Sequence, residues 1–194
     1  MSKIVSGYKE AARARILDAA IDVFTKHGFD DSTMDEVAAK VGVTKAALYR
    51  YFRSKNSLLE SVFRATQRRL RVALEEAFEG RTIEDGVDEF FQNLDRTYGQ
   101  SYDLIFEWFA QASRDPRIRH LMRADGERDI ATVAAFLERQ RKGGRLRSRK
   151  HARTLAEILE TGFVGGWIRI ALGHDRRAVV RSLQDLVSAL EHWA

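Results

Sequence analysis

No cysteine occurs in the 194 residues, which excludes disulfides, thiolate nucleophiles and Cys-ligated zinc or iron–sulfur sites together. A reducing cytoplasm is the compartment expected of such a chain. Long apolar runs are also missing. The most apolar stretch, Ile158 to Ile170, is interrupted by Glu160 and Arg169 and falls short of the roughly 20 apolar residues that a membrane span needs. The first fifteen residues contain no apolar core of a secretory signal, so neither export nor a membrane partner is expected. Catalytic signatures are absent as well: no G-x-S-x-G, no phosphate-binding G-x-x-x-x-G-K-[ST], no G-x-G-x-x-G and no H-E-x-x-H. The five histidines, at 27, 120, 151, 174 and 192, form no i, i+3 or i+4 pair. No enzyme activity, cofactor or metal is expected.

Proline occurs once, at Pro116, and a chain so poor in helix breakers and rich in Ala, Leu, Arg and Glu forms long helices with short connections. The 44% hydrophobic share is enough to fill a core without staples. Helical spacing predicts helices over about 9–27, 57–78, 83–98, 101–114, 116–141, 151–172 and 176–193. Gly80, Gly143-Gly144 and Gly173 are read as their stops. Between Asp30 and Lys55 three helix starts follow in quick succession: Thr33, with Glu36 three residues on, then Thr44 and Ser54.

Charge is mixed, 33 Lys+Arg against 28 Asp+Glu for a net +5, and residues 1–57 hold the more basic share, 10 against 7. An anionic partner is favoured. The run from Arg139 to Arg153 carries eight positive charges and no acid. It is read as a solvated connection, with an anionic effector, membrane or nucleic-acid surface as the alternative.

The segment from Thr33 to Phe52 reads as two short helices joined by a tight turn at Gly42, where glycine accepts a positive φ. Ala38 allows the helices to cross closely, and Val37, Val41, Val43, Leu48 and Phe52 supply the apolar lock. The outward face of the second helix then carries Thr44, Lys45, Ala46, Tyr49 and Arg50, in position to enter a major groove. Asp35 stands on the exposed side of the first of these helices, where its charge would repel phosphate unless it accepts from a cytosine amino group; its role is left open.

This pattern resembles the DNA-binding head of the TetR family of bacterial transcriptional regulators. The resemblance rests on Ala19-Ala20, Phe24, Gly28, Thr33, Ala38, Gly42-Val43, Leu48-Tyr49, Tyr51-Phe52, Ser54-Lys55 and Leu58-Leu59, over about residues 9–60. It implies that Thr33, Tyr51 and Lys55 bind phosphates and that Lys45, Ala46 and Tyr49 lie against bases. The implied fold is all-α: a three-helix N-terminal helix-turn-helix head, residues 9–56, joined by a long helix to a C-terminal helical bundle, residues 57–194, for effector binding and dimerisation.

The last two helices are the candidates for pairing a homodimer, with Leu155, Leu159, Gly162, Gly166, Leu183, Leu186, Val187 and Leu190 as interface residues. Glycines inside a helix cost about 1 kcal/mol each and allow close approach. The implied effector cavity draws on the aromatic cluster, with Tyr102, Phe106, Glu107, Phe109, Phe136, Phe163 and Trp167 as candidates. The function expected is a repressor that binds a palindromic double-stranded DNA operator and releases it when an unidentified small molecule binds. The alternatives are a helical small-molecule-binding protein or enzyme with the helix-turn-helix as scaffold, and a non-specific architectural DNA binder.

Overall fold

The computed structural model describes residues 2–79, 81–98 and 104–193; the stop expected at Gly80 and the candidate Tyr102 lie outside them. Among the described residues all regular structure is helical: α1 (Ser2–His27), α2 (Met34–Val41), α3 (Lys45–Tyr49), α4 (Lys55–Phe78), α5 (Ile83–Tyr98), α6 (Leu104–Arg114), α7 (Pro116–Lys142), α8 (Ala152–Ala171) and α9 (Arg176–Glu191). α1 begins seven residues before the expected Lys9. The sequence pattern marked only the part with a buried face, Ile16, Ala20, Val23 and Phe24, whereas the preceding turns continue the helix with Tyr8 standing 78% exposed.

Local chemistry starts and stops these helices. The Thr33 hydroxyl accepts the Glu36 N–H while Glu36 Oε2 accepts the Thr33 N–H at 2.7 Å, a reciprocal cap that satisfies two otherwise orphaned donors. The Thr33 hydroxyl, at 2.9 Å, and the Thr33 N–H both donate to Glu36 Oε2 and hold the Glu36 carboxyl below the usual carboxylate range. Thr44, Ser54, Asp115 and Asp175 each accept a first-turn N–H in the same way, and Pro116 occupies the first turn of α7, where its missing N–H is no loss. Gly42 ends α2 at φ +78°, with the Val43 N–H reaching back to the Ala38 carbonyl at 3.0 Å, a closure that requires the left-handed conformation.

Two cores form. The first gathers α1–α3, the N-terminal half of α4 through Ala65, and then Trp108 and Ala112 of α6 and Ile118 of α7. Trp108 meets Phe63 edge-on, centroids 4.9 Å apart, so α6 roofs the head. The second gathers the C-terminal end of α4 with α5, α7, α8 and α9. α4 therefore runs through both.

Two packing expectations need correction. Val43 does not lock the turn: it is 38% exposed, because the positive φ at Gly42 turns the chain outward there. The proposed interface residues on α8 and α9 are consumed within one chain. Leu155, Leu159, Leu183, Val187 and Leu190 are all buried in the second core, with Leu186 packed against it. A Cβ at Gly162 would come within 2.9 Å of Leu186, and one at Gly166 within 2.9 Å of Leu183. The two glycines do allow close helix approach, but between α8 and α9 of the same molecule.

The basic run is partly tied down. Arg141 pairs with Glu138, Arg153 with Glu127 and Glu157, and Lys150 lies over the Trp193 ring. Ser148 donates to the Trp193 carbonyl at 2.9 Å, stapling the α7–α8 connection to the end of the chain.

Candidate functional site

α3 stands at the surface with one side anchored. Leu48 is fully buried, which fixes the roll of this short helix and turns Thr44, Lys45, Ala46, Tyr49 and Arg50 outward, all five exposed. Thr44 Oγ1 accepts the Ala47 N–H at 3.2 Å, leaving its hydroxyl hydrogen able to donate to an anion. Tyr49 is 42% exposed, a large aromatic on an otherwise polar face. Tyr51 is half-buried against the head core, and Thr33 is exposed at the start of α2.

Two lysines already have partners. Lys45 Nζ lies 2.6 Å from Asp35 Oδ2, which answers the question posed by Asp35: its carboxylate bridges α2 to α3. That hydrogen bond, with the Asp35 charge, holds the Lys45 ammonium above its ordinary range. Because the pair is exposed, it can exchange Asp35 for a phosphate or base edge at little cost. Lys55 is different. Its ammonium donates to the carbonyls of Phe29, Asp30 and Ser32 at 2.6, 3.0 and 2.8 Å and sits 4.5 Å from the centroid of the Phe29 ring. An ammonium has three donors, and all three serve the α1–α2 connection. The side chain expected at a phosphate is thus a clamp inside the head.

α6 is fastened to the same connection. Arg114 pairs with Asp30 at 2.6 Å, and Glu107 accepts from Gln111 at 2.9 Å, close to Gly28. Glu107 therefore belongs to the junction between head and body and not to an effector cavity. Phe106 and Phe109 also leave the cavity, at 36% and 42% exposed, since α6 turns Trp108 and Ala112 inward to roof the head.

The cavity lies in the second core. Its volume is about 580 Å³, and its walls include Leu74 and Phe78 of α4, Ile83 of α5, Phe136 of α7, and Leu159 and Phe163 of α8. A recess of about 80 Å³ shares Leu74, Val133 and Phe163 with it and reaches Phe90, Trp167, Asp129 and Glu160. Of the aromatic candidates, Phe136, Phe163 and Trp167 line this space. Arg71 of α4 bridges to α7 there, 3.2 Å from Asp129 and 3.5 Å from Asp125. Burial raises the Asp129 carboxyl against the opposing pull of Arg71. Arg71, Asp129 and Glu160 were not anticipated. The available signal was a charged residue in phase with an apolar stripe: Glu160 lies three and seven residues before Phe163 and Trp167, on one helical face.

Among the described residues no group of His, Cys, Asp and Glu could hold a metal ion, and no helix is long and apolar enough to cross a membrane.

The family model described as bacterial regulatory proteins of the tetR family matches residues 16–62, the head and the start of α4. The HTH-type transcriptional regulator BetI of Cronobacter sakazakii is 27% identical over 174 residues, covering 86% of this chain and 82% of its own length. SrpR of Pseudomonas putida, another HTH-type transcriptional regulator, is 38% identical over 72 residues, covering 37% of this chain and 34% of its own. In fold, GusR of Salmonella enterica superposes with a TM-score of 0.78 at 22% identity, over 93% of this chain and 95% of that one. The capped helix-turn-helix over residues 16–62 is thus a DNA-binding head of the TetR type, set before an all-helical body, and the chain reads as a DNA-binding transcriptional regulator similar to those of the TetR family.

Proposed function

We propose that this regulator is a cytoplasmic, ligand-responsive repressor that binds a palindromic operator as a homodimer and releases it when a small molecule enters the cavity. The observation that carries this is the span of α4. Its first turns hold the head core through Leu58, Leu59, Val62 and Phe63, and its last turns, at Leu74 and Phe78, wall the cavity. A ligand that alters the packing of those last turns changes the orientation of the head, provided it binds the two arrangements with different affinity.

In this proposal residues 9–56 read DNA and residues 57–194 bind effector and partner. Thr33, Thr44 and Arg50 contact phosphates, Lys45, Ala46 and Tyr49 face bases, and Tyr51 reaches phosphate through its hydroxyl. The partner subunit is met by the outward face of α8, at Thr161, Gly165 and Ile168, and by Leu172 just past its end. Leu172 is 64% exposed, and a Cβ at Gly165 would meet nothing within 4 Å. The pairing sets two recognition helices about 34 Å apart, one turn of DNA.

The test is a titration of the purified protein against fluorescent duplex from its own upstream region, beside a scrambled duplex and a Tyr49→Ala variant, at fixed salt. A preference of about a thousandfold or more for the native region, lost in the variant, is expected of a sequence-reading regulator. Equal binding to every duplex, distant upstream sites included, refutes the operator reading and leaves an architectural binder.

A further inference from the structure

The recess beside Phe163 is acidic, although the chain as a whole is basic, net +5. Its wall carries two carboxylates, Asp129 and Glu160, and one cation, Arg71. Arg71 is already shared between Asp129 and Asp125. Glu160 has no ion pair or hydrogen bond with any described residue, and the charge it feels is that of Asp129, of like sign. Burial and that neighbour hold the Glu160 carboxyl above its ordinary range. The outer cavity continues the trend, with Glu75, Glu76 and Glu79 against Arg139.

The rest of the recess is apolar, with three aromatic residues, Phe90, Phe163 and Trp167, among leucines and valines. Phe90 and Phe163 meet edge-on with centroids 5.1 Å apart, and the wall is closed by Leu94, Val164 and Trp167. Aromatic faces and an uncompensated carboxylate attract the same kind of ligand, since ring quadrupoles favour positive charge. An anion would face like charge at every acidic wall. A neutral ligand would bury Glu160 further with no counter-charge in return.

We infer that the ligand of this cavity is an organic cation, its positive head seated in the recess against Glu160 and the Phe163 and Trp167 rings, its apolar body lying along Phe136 and Phe78 in the larger space. This inference rests on the cavity being the effector site proposed above, and names the chemical class that the site takes.

The test uses the full chain and three probes of one tail length: hexyltrimethylammonium, 1-hexanol and hexanesulfonate, titrated calorimetrically. The expected result is binding of the ammonium at least about tenfold tighter than the alcohol, with the sulfonate weakest. Glu160→Gln is expected to abolish the advantage of the ammonium while leaving the alcohol unchanged. Phe163→Leu, which keeps apolar bulk and removes the ring, weakens the ammonium selectively. The inference is overturned if the alcohol or sulfonate binds as tightly as the ammonium, if none of the three binds, or if both variants retain the ammonium preference. Operator affinity measured in the same samples separates the two proposals. An ammonium that binds through Glu160 without changing operator affinity leaves the cation site standing and refutes the switch.

Discussion

Replacing Lys55 by methionine discriminates between two tasks for one side chain. As a clamp, Lys55 donates three hydrogen bonds to carbonyls of the α1–α2 connection and lies over Phe29. A hydrogen bond involving a charged group contributes about 1.5–3 kcal/mol, and a cation over an aromatic face about 0.5–1 kcal/mol at a partly exposed site. Three such bonds do not add in full, because the freed Asp30 carbonyl is at the surface and regains water. A loss of about 2–3 kcal/mol follows, which for a chain of this length lowers Tm by roughly 5–10 °C. As a phosphate ligand, the same residue would matter little to stability, and its removal would reduce the slope of log K against log salt by about one. Urea unfolding and DNA titrations across salt concentrations on Lys55→Met therefore give opposite signatures. A stability change below about 0.5 kcal/mol together with a slope lower by one would refute the clamp.

Asp35→Asn releases Lys45 from its exposed pair; stability is expected to stay within about 0.5 kcal/mol, while DNA affinity at low salt rises and the salt slope steepens by up to about one. Glu160→Gln is expected to raise Tm at neutral pH. The folded protein holds this carboxyl above its unfolded value near 4.5, so it disfavours folding progressively as pH rises past that unfolded value and fully above the folded one, and the gain shrinks to nothing as pH falls below the unfolded value; a gain that persists at acid pH contradicts the assignment. Gly86→Ala would place a Cβ 2.2 Å from Phe78 Cδ1; after a helix-propensity gain of about 1 kcal/mol, a net loss of about 1–2 kcal/mol is expected from overpacking. Recovery of the urea midpoint on adding Phe78→Leu would confirm that the ring is the obstacle, and an unchanged midpoint in the single variant would refute the clash.

What could be read from the residues divides by range. The caps at Thr33, Thr44, Ser54 and Asp115 were legible because donor and acceptor lie within three residues of each other, and the Gly42 turn because only one backbone conformation closes it. Asp35 was legible as an anomaly, yet its partner ten residues on depended on how α2 and α3 cross. The close approach at Gly162 and Gly166 was likewise legible, but the pattern of one helix does not state whether its neighbour belongs to the same molecule. The cavity was hardest. Phe136, Phe163 and Trp167 line it whereas Phe106 and Phe109 do not, because composition reports aromatic content and only tertiary packing decides which side of α6 faces in. The contacts of Lys55 were hidden for a similar reason: the carbonyls it binds lie more than twenty residues earlier in sequence.

The line between the two cores passes through α4 itself, between Ala65 and Leu70, and α6 and the start of α7 side with the head although they come later in the chain. A protein divided this way has no hinge loop at which it can be cut in two. Severing it after residue 56 would leave the first three helices without Val62, Phe63, Trp108 and Ile118, a core open on one side. The reading head is therefore not a portable module: it is completed by the body it reports on, and grafting it elsewhere would mean carrying α4 and a roof with it.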